Sequence, residues 1–346
     1  MNIHHNAVSK KVEMNGLGIQ SIILSAMFFL QYMAHSTWLS FFNIFLSDRG
    51  FSGLQIGVIT GLFQGTLFFV VPIWGILADN NGNKKVYQLA LFASSIIIFG
   101  VGYLNAFTII LIYMIFLSYF SHPMGALLDS LAVSHVKFHN QSSYGELRVW
   151  GSIGWAVGTV LMGRILVNHD TSIIFQAASL LLFLTLIITR TAFKCNQNVS
   201  TQNRFNFNHL MSLFRNRMVF WFLMILFIYG MSVSPLYLFI NLYYREIGAS
   251  NQIIGIAFAV QALSELPFFF FGIKIVRKIG VSTMILVTMI VAIIRLILYS
   301  YISTPAVAVV LGITQGVTFS MFWVAGIEYM HNLIPARYRA TGQSLI

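Results

Sequence analysis

The sequence predicts an all-α protein that crosses a membrane many times. Its 346 residues are 58% hydrophobic and only 8% charged, and the mean hydropathy is +0.80. Soluble domains carry about a quarter Asp, Glu, Lys and Arg, so this chain has too few charges for a water-exposed surface. The apolar runs are continuous and lack the alternation of a membrane β-barrel, which favours helices over strands.

Ten of these runs are long enough to cross a bilayer, since a membrane helix needs about 20 mostly apolar residues. They cover 18–46, 54–78, 86–105, 107–135, 145–167, 171–191, 218–244, 252–273, 281–302 and 305–333. An eleventh run begins near Ala340 and stops at Ile346, too short to cross. The first run is too long for a removable signal peptide, so we expect it to remain as the first helix.

The basic residues predict the orientation of the chain, because cytoplasmic loops collect Lys and Arg. With a cytoplasmic N-terminus, 15 basic residues lie inside: Lys10, Lys11, Lys84, Lys85, Lys137, Arg190, Lys194, Arg204, Arg215, Arg217, Lys274, Arg277, Lys278, Arg337 and Arg339. Only three lie outside: Arg49, Arg164 and Arg245. We therefore expect a plasma or inner membrane protein with its N-terminus in the cytoplasm.

The longest polar stretch divides the predicted helices into two groups. We expect a cytoplasmic tail over 1–17, a six-helix bundle over 18–191, a cytoplasmic linker over 192–217, and a second bundle over 218–346 with four helices and the start of an eleventh. The two groups resemble each other at an offset near 198. The paired positions are Gly50 and Gly248, Gly57 and Gly255, Pro72 and Pro267, Gly75 and Gly272, and Gly82 and Gly280. This pattern indicates duplicated halves around a central site.

Enzymatic and nucleic-acid-binding functions are not indicated. The net charge of +11 is spread over short gaps between apolar runs rather than gathered on one face, which argues against a nucleic-acid partner. Cys195 is the single cysteine, and the chain lacks hydrolase, metalloprotease and phosphate-loop motifs. We expect no catalytic residue, no metal and no cofactor, and energy that comes from a gradient rather than from ATP.

The segment 75–85 resembles the signature loop between helices 2 and 3 of the major facilitator superfamily. Within that superfamily the chain is similar to the lactose-permease-like branch of oligosaccharide, nucleoside and phenylpropionate proton symporters, through segments 125–129 and 144–155 and through 264–266 and Arg295. The resemblance implies two pseudo-symmetric six-helix halves, of which the second is incomplete because the last two helices are lacking. It also implies a conformational role for the loop residues Gly75, Asp79, Gly82, Lys84 and Lys85.

Two acids and two arginines stand inside predicted helices, where a charge costs about 2.5–3.5 kcal/mol on insertion scales. Asp129 lies about as far before the helix 4–5 turn as Arg148 lies after it, and Glu265 and Arg295 are similarly matched across the helix 8–9 turn. Each pair therefore lies at a matching depth, although this spacing leaves rotation about the helix axes open. Each pair is either a functional site or an interhelical contact that neutralises itself.

The functional interpretation assigns these residues to a solute and a proton. Arg148 offers a rigid fork of donors, Asp129 accepts hydrogen bonds, and Trp155 could stack on a ring or serve only in packing. Glu265, Arg295 and Asp129 are the candidates for proton coupling. Where lactose permease carries a histidine and a glutamate in helix 10, this chain has Gln315 and Thr318, so the coupling ion stays open.

The expected function is secondary active transport of a sugar or oligosaccharide, nucleoside or aromatic acid, by proton-coupled symport and alternating access. The partners are then a small solute, a proton or other coupling ion and the lipid bilayer, and we expect a monomer. The alternatives are a truncated, non-transporting remnant or a membrane sensor, followed by a facilitated-diffusion uniporter or an exporter. A chain without the last two helices is expected to transport poorly.

Overall fold

The computed structural model describes residues 2–139, 143–194 and 217–333. Most of the expected linker 192–217 and the whole start of the expected eleventh helix near Ala340 lie outside the described residues. The chain divides into two compact units, Met1–Val199 and Ser200–Ile346. Each unit is all helical over its described residues, as the apolar runs predict.

In the first unit the described residues form nine helices, which make up six predicted crossing segments. They are α1 (Asn2–Leu39), α2 (Phe42–Asp48), α3 (Gly53–Gly65), α4 (Leu67–Asn81), α5 (Asn83–Val101), α6 (Phe107–Ser121), α7 (Pro123–His139), α8 (Tyr144–Ile165) and α9 (Ile173–Thr191). Segments α1–α2, α3–α4 and α6–α7 are each one predicted span with a short break. The break between α6 and α7 precedes Pro123, whose ring lacks the N–H that would continue the hydrogen-bond ladder.

The second unit contains four crossing segments within the described residues. They are α10 (Arg217–Glu246), α11 (Asn251–Ile279), α12 (Val281–Tyr301) and a composite segment, which comprises α13 (Pro305–Leu311), a 3₁₀ turn (Gly312–Thr314), a π-helical turn (Gly316–Met321) and α14 (Phe322–Leu333). The core of this unit includes Val219, Tyr229, Val276, Met284 and Phe322. The sequence predicted the composite segment as one regular helix, whereas the structure has a 3₁₀ turn and a π-helical turn in its middle.

Nine of the segments in the described part of the chain are long and apolar enough to cross a membrane. The tenth predicted span, 145–167, is the 22-residue α8, which is less apolar because it carries Glu146, Arg148 and Arg164. Its helical state agrees with the prediction. Its polarity means that its place in the bundle depends on packing rather than on hydropathy alone.

Four glycines in the described residues have positive φ: Gly50 (79°), Gly82 (88°), Gly248 (85°) and Gly280 (93°). They form two pairs, each separated by 198 positions, and each ends one helix before another begins. Residues other than glycine rarely adopt this conformation. The N-caps repeat as well, since Ser52 accepts a hydrogen bond from Gln55 N and Ser250 accepts one from Ile253 N. The duplication proposed from the sequence thus extends to backbone geometry.

Close packing of α1 against α8 depends on two glycines of α8. A Cβ atom on Gly154 would lie 2.1 Å from the Phe29 carbonyl oxygen, and one on Gly158 would lie 2.8 Å from the Met33 carbonyl oxygen. The two backbones therefore approach more closely than any side chain permits, as small residues allow in membrane helices. This approach places α8 beside the α1 residues that form the candidate site.

Candidate functional site

Asp129 on α7 and Arg148 on α8 meet in the first unit. Arg148 Nε lies 4.0 Å from Asp129 Oδ1, and the side chains are 34% and 36% exposed. A capping box starts α8, because Ser143 Oγ accepts from Glu146 N and Glu146 Oε2 accepts from Ser143 N, each at 3.2 Å. The box places Arg148 in the second turn of α8, opposite Asp129. The contact that the spacing left open is therefore formed.

Tyr32 on α1 completes the surroundings of Arg148. The guanidinium carbon lies 4.1 Å from the centre of the Tyr32 ring, a cation–π distance. A Cβ on Gly151 would lie 2.7 Å from Arg148 Nη1 and 3.0 Å from the Tyr32 ring. Gly151 thus leaves the space in which the arginine and the tyrosine stack. The sequence prediction missed Tyr32, because nothing along α1 indicates which ring faces α8.

A cavity of about 160 Å³ lies next to this cluster, within the first unit. Trp155, one of the predicted site residues, lines it, and Tyr32 joins the cavity to Arg148. Asp129 and Arg148 themselves are not among the lining residues, which are Gln31, Tyr32, His35, Leu39, Phe63, Gln64, Ser121, His122, Gly125 and Trp155. Trp155 follows Arg148 by seven residues, or about two turns, so both project from one face of α8.

Glu265 on α11 and Arg295 on α12 belong to one polar network in the second unit. Arg295, which is 2% exposed, donates from Nη1 to Gln315 Oε1 at 2.6 Å and to Thr318 Oγ1 at 2.9 Å. Gln315 Nε2 in turn donates to Glu265 Oε1 at 3.4 Å. Gln315 therefore bridges the predicted acid–base pair. Gln315 and Thr318 are the two positions at which the sequence differs from lactose permease, and they are the neutral acceptors of the buried Arg295.

The irregular middle of the composite segment brings these acceptors to Arg295. Gly316 N donates to Ser264 Oγ at 3.1 Å, and a Cβ on Gly316 would lie 2.2 Å from the Ser264 carbonyl oxygen. Close approach at Gly316 coincides with the start of the π-helical turn, between Gln315 and Thr318. Such turns are frequent at functional sites. Spacing along the sequence does not predict them, because they depend on the contact with α11.

The signature-loop residues occupy the turn between α4 and α5. Gly82 supplies the positive φ, and Lys84 Nζ donates to the carbonyl oxygen of Phe193, beyond the end of α9. A Cβ on Gly75 would meet no atom within 4 Å, and Lys85 is exposed. Asp79 is exposed as well and makes no hydrogen bond or ion pair to other described residues. The structure therefore shows a physical role for Gly82 and Lys84, and none for the other three loop residues.

No group of three or more His, Cys, Asp or Glu side chains that could hold a metal occurs among the described residues. The first unit instead offers an ion pair beside a small cavity, groups that can bind a polar solute. The second unit by itself offers an acid linked through Gln315 to a buried arginine, a network that can exchange a proton.

Comparison with known proteins identifies the family. Residues 21–346 match the model of the MFS_1 like family. The maltose permease of Geobacillus stearothermophilus is 24% identical over 335 residues, which covers 95% of this chain and 84% of that protein. The probable 3-phenylpropionic acid transporter of Escherichia coli K12 is 22% identical over 317 residues, covering 88% of this chain and 80% of the relative.

Among solved structures, the crystal structure of the nucleoside transporter NupG superimposes with a TM-score of 0.81. The match covers 94% of this chain and 85% of that one, at 17% sequence identity. Because the identity is low, the superposition shows a shared fold and no more.

Proposed function

The chain belongs to the MFS_1 like family, and we propose that it is a proton-coupled symporter that carries a small organic solute by alternating access. It is a multi-pass membrane transporter with the major facilitator fold, since the family and the relatives are transporters and not enzymes. The names of the relatives suggest a sugar, a nucleoside or an aromatic acid as the solute. We further propose a monomer in the cell membrane with a cytoplasmic N-terminus.

The single observation that carries the proposal is the contact between Asp129 and Arg148 at 4.0 Å inside predicted membrane helices. Charges at such a depth are costly and persist mostly where they bind cargo, ions or each other. A fully enclosed pair recovers its desolvation cost only when hydrogen bonds satisfy its remaining polar atoms. Asp129 Oδ1 is enclosed and makes no hydrogen bond to the described residues, whereas about a third of each side chain is exposed, so part of the pair is open to a solute.

Glu265 is the proton carrier in this proposal. The hydrogen bonds of Arg295 to Gln315 and Thr318 go to neutral acceptors, so protonation of Glu265 leaves these bonds of the buried arginine intact. Protonation of Glu265 nevertheless removes the carboxylate charge that offsets the charge of Arg295, and the resulting electrostatic cost ties the proton to a change in conformation. The loop residues Gly75, Asp79, Gly82, Lys84 and Lys85 are assigned to the conformational change, and Trp155 to solute binding.

The test is uptake by the purified chain in proteoliposomes, with and without a pH gradient, of maltose, uridine and 3-phenylpropionate. We expect gradient-driven uptake of one class, and at least a tenfold loss in Asp129→Asn and in Arg148→Ala. Uptake of none of the three solutes would favour the alternative of a non-transporting protein. Arg164→Ala is the matched control, because this arginine lies exposed on the same helix. Unchanged uptake in both site variants would remove the pair from the solute site.

Glu265→Gln separates coupling from binding. We expect this variant to exchange internal for external solute but to lose accumulation driven by the pH gradient, since an amide carries no proton. Retained accumulation would assign coupling to another group, and uptake that ignores the gradient in the unaltered chain would indicate facilitated diffusion.

A further inference from the structure

The cavity of the first unit has a polar lining that the proposed function leaves unassigned. Gln31 and His35 on α1 and His122 between α6 and α7 face one volume of about 160 Å³, together with Trp155 on α8, which is already assigned to the solute. An engineered protein cavity of about 150 Å³ holds a benzene molecule. The space therefore suits one six-membered or five-membered ring.

Gln31 presents an unused donor to this region. Its side chain is fully buried, and its Oε1 accepts a hydrogen bond from the hydroxyl of Tyr87 at 2.5 Å. That bond orients the amide, and Nε2 has no hydrogen-bond partner among the described residues. A buried N–H without a partner is unfavourable. An oxygen atom of a bound solute would satisfy it.

His122 presents an acceptor. His122 Nε2 lies 2.7 Å from the carbonyl oxygen of Phe63, which can only accept, so Nε2 carries the hydrogen. In the neutral imidazole the other nitrogen, Nδ1, is then an acceptor. His35 lines the same volume from α1, and its ring centre lies 6.4 Å from that of Tyr32. The His122 ring thus uses its N–H within the protein and keeps a lone pair.

One amide donor, one imidazole acceptor and an indole match a particular chemistry. A hydroxyl group both donates and accepts, so adjacent hydroxyls of a ring can satisfy Gln31 and His122 together. A carboxylate only accepts, and its oxygens would face the imidazole lone pair. Asp129 and Arg148 are paired with each other beyond Tyr32, so they add no net charge to the cavity.

We propose that this cavity is a binding subsite for one ring of a neutral, hydroxylated solute, and that Gln31 and His122 select hydroxyls against carboxylates. The proposal rests on the proposed function of the chain as a solute carrier. The ring belongs either to a free sugar or to the ribose of a nucleoside, since both present adjacent hydroxyls. Trp155 supplies the apolar face against which the ring packs.

The test is equilibrium binding to the purified full-length chain in detergent at neutral pH, without any gradient. The probes are glucose, maltose, raffinose, uridine and 3-phenylpropionate. We expect at least one neutral probe to bind and 3-phenylpropionate not to displace it. Sugars and uridine are separate arms, which distinguish the two sources of the ring. Equal affinity for 3-phenylpropionate, or no binding of any neutral probe, would overturn the proposal.

Variants assign the effect to the cavity. Gln31→Leu and His122→Phe should each weaken binding of the neutral probe at least tenfold, while the matched controls Gln176→Leu and His169→Phe, outside the cavity, leave it unchanged. Gln31→Met keeps the length of the side chain and removes the donor, so it should weaken binding even if Gln31→Leu does not fold. Unaltered binding in folded Gln31→Met and His122→Phe would refute the subsite.

The two proposals fail separately. Binding that depends on Gln31 and His122 without any gradient-driven uptake would reject the symporter and keep the subsite. Gradient-driven uptake that the Gln31 and His122 variants leave unchanged would keep the symporter and reject the subsite.

Discussion

The guanidinium groups of Arg148 and Arg295 contact different kinds of side chain, and this difference indicates a different role for each arginine. Arg148 meets a carboxylate and an aromatic ring, and a third of its side chain stays exposed. Arg295 is buried and donates to an amide and a hydroxyl. A group that receives cargo must remain accessible, whereas a group that stabilises a neighbouring acid can be enclosed. We therefore propose solute contact at Arg148 and proton coupling beside Arg295.

Gln315→Leu tests the bridge at the residue scale. The change removes one of two neutral acceptors of the buried Arg295 and the link to Glu265, so the free energy of unfolding should fall by about 1–3 kcal/mol. Thermal unfolding in detergent measures it. Gln252→Leu, at the exposed start of α11, is the matched control. Equal stability of both variants would contradict the bridge.

Asp170 gives a pH-dependent prediction outside the membrane segments. Hydrogen bonds from the side chain and backbone of Ser172, and then Arg49, lower the pKa of Asp170 below its ordinary value of 3.8, against a smaller opposing effect of burial. A lowered pKa means stabilisation that is complete above pH 3.8 and is lost as the pH falls below it.

Asp170→Asn should therefore lower stability at neutral pH, by at most about 1 kcal/mol because the side chain is 70% exposed. The measurement is the difference in unfolding free energy between the two proteins at several pH values. It should shrink towards zero as the pH falls below the ordinary pKa. A difference that stayed constant over this range would show that the carboxylate charge does not matter.

At the scale of elements, the approach of α1 to α8 positions the site. Tyr32 and the cavity residues of α1 reach Arg148 and Trp155 only because Gly151, Gly154 and Gly158 leave space on the facing side of α8. Gly154 and Gly158 are four residues apart, a spacing that is typical of close packing between membrane helices. Which helix packs there is decided by the fold, because small residues permit an approach without choosing the partner.

Gly154→Ala should destabilise the first unit. The added Cβ would lie 2.1 Å from a backbone oxygen of Phe29, which can move only with its helix, so we expect a loss of about 1–3 kcal/mol. Gly61→Ala is the control, since a Cβ there meets no atom within 4 Å. Thermal unfolding compares the two. A stable Gly154→Ala variant would mean that α1 and α8 pack more loosely.

At the scale of the whole molecule, the duplication joins sequence to backbone. The positive-φ glycines recur at an interval of 198, and so do the capping serines Ser52 and Ser250. Two copies of one helix–turn pattern therefore survive in units whose polar networks have diverged. The first unit carries the ion pair and the cavity, and the second carries the bridged arginine.

The orientation remains a prediction at this scale, and Cys195 tests it. The charge distribution places the polar linker in the cytoplasm, so a membrane-impermeant thiol reagent should label Cys195 in inverted vesicles and not in intact cells. The reverse pattern is expected for His169→Cys in a Cys195→Ser background, because the loop after α8 then faces outward. Labelling of Cys195 in intact cells would reverse the proposed topology.

The sequence by itself determined the membrane class, the helical segments, the duplication and the four charges worth attention, because these depend on composition and on spacing along one chain. Tertiary structure decided which groups meet: Tyr32 on Arg148, Gln315 between Arg295 and Glu265, and Gln31 with two histidines around one cavity. Spacing gives the depth of a residue in the membrane, but the rotation of its helix follows from packing between helices. The π-helical turn beside Gln315 arises in the same way, from contact with a helix some 50 residues away in the sequence.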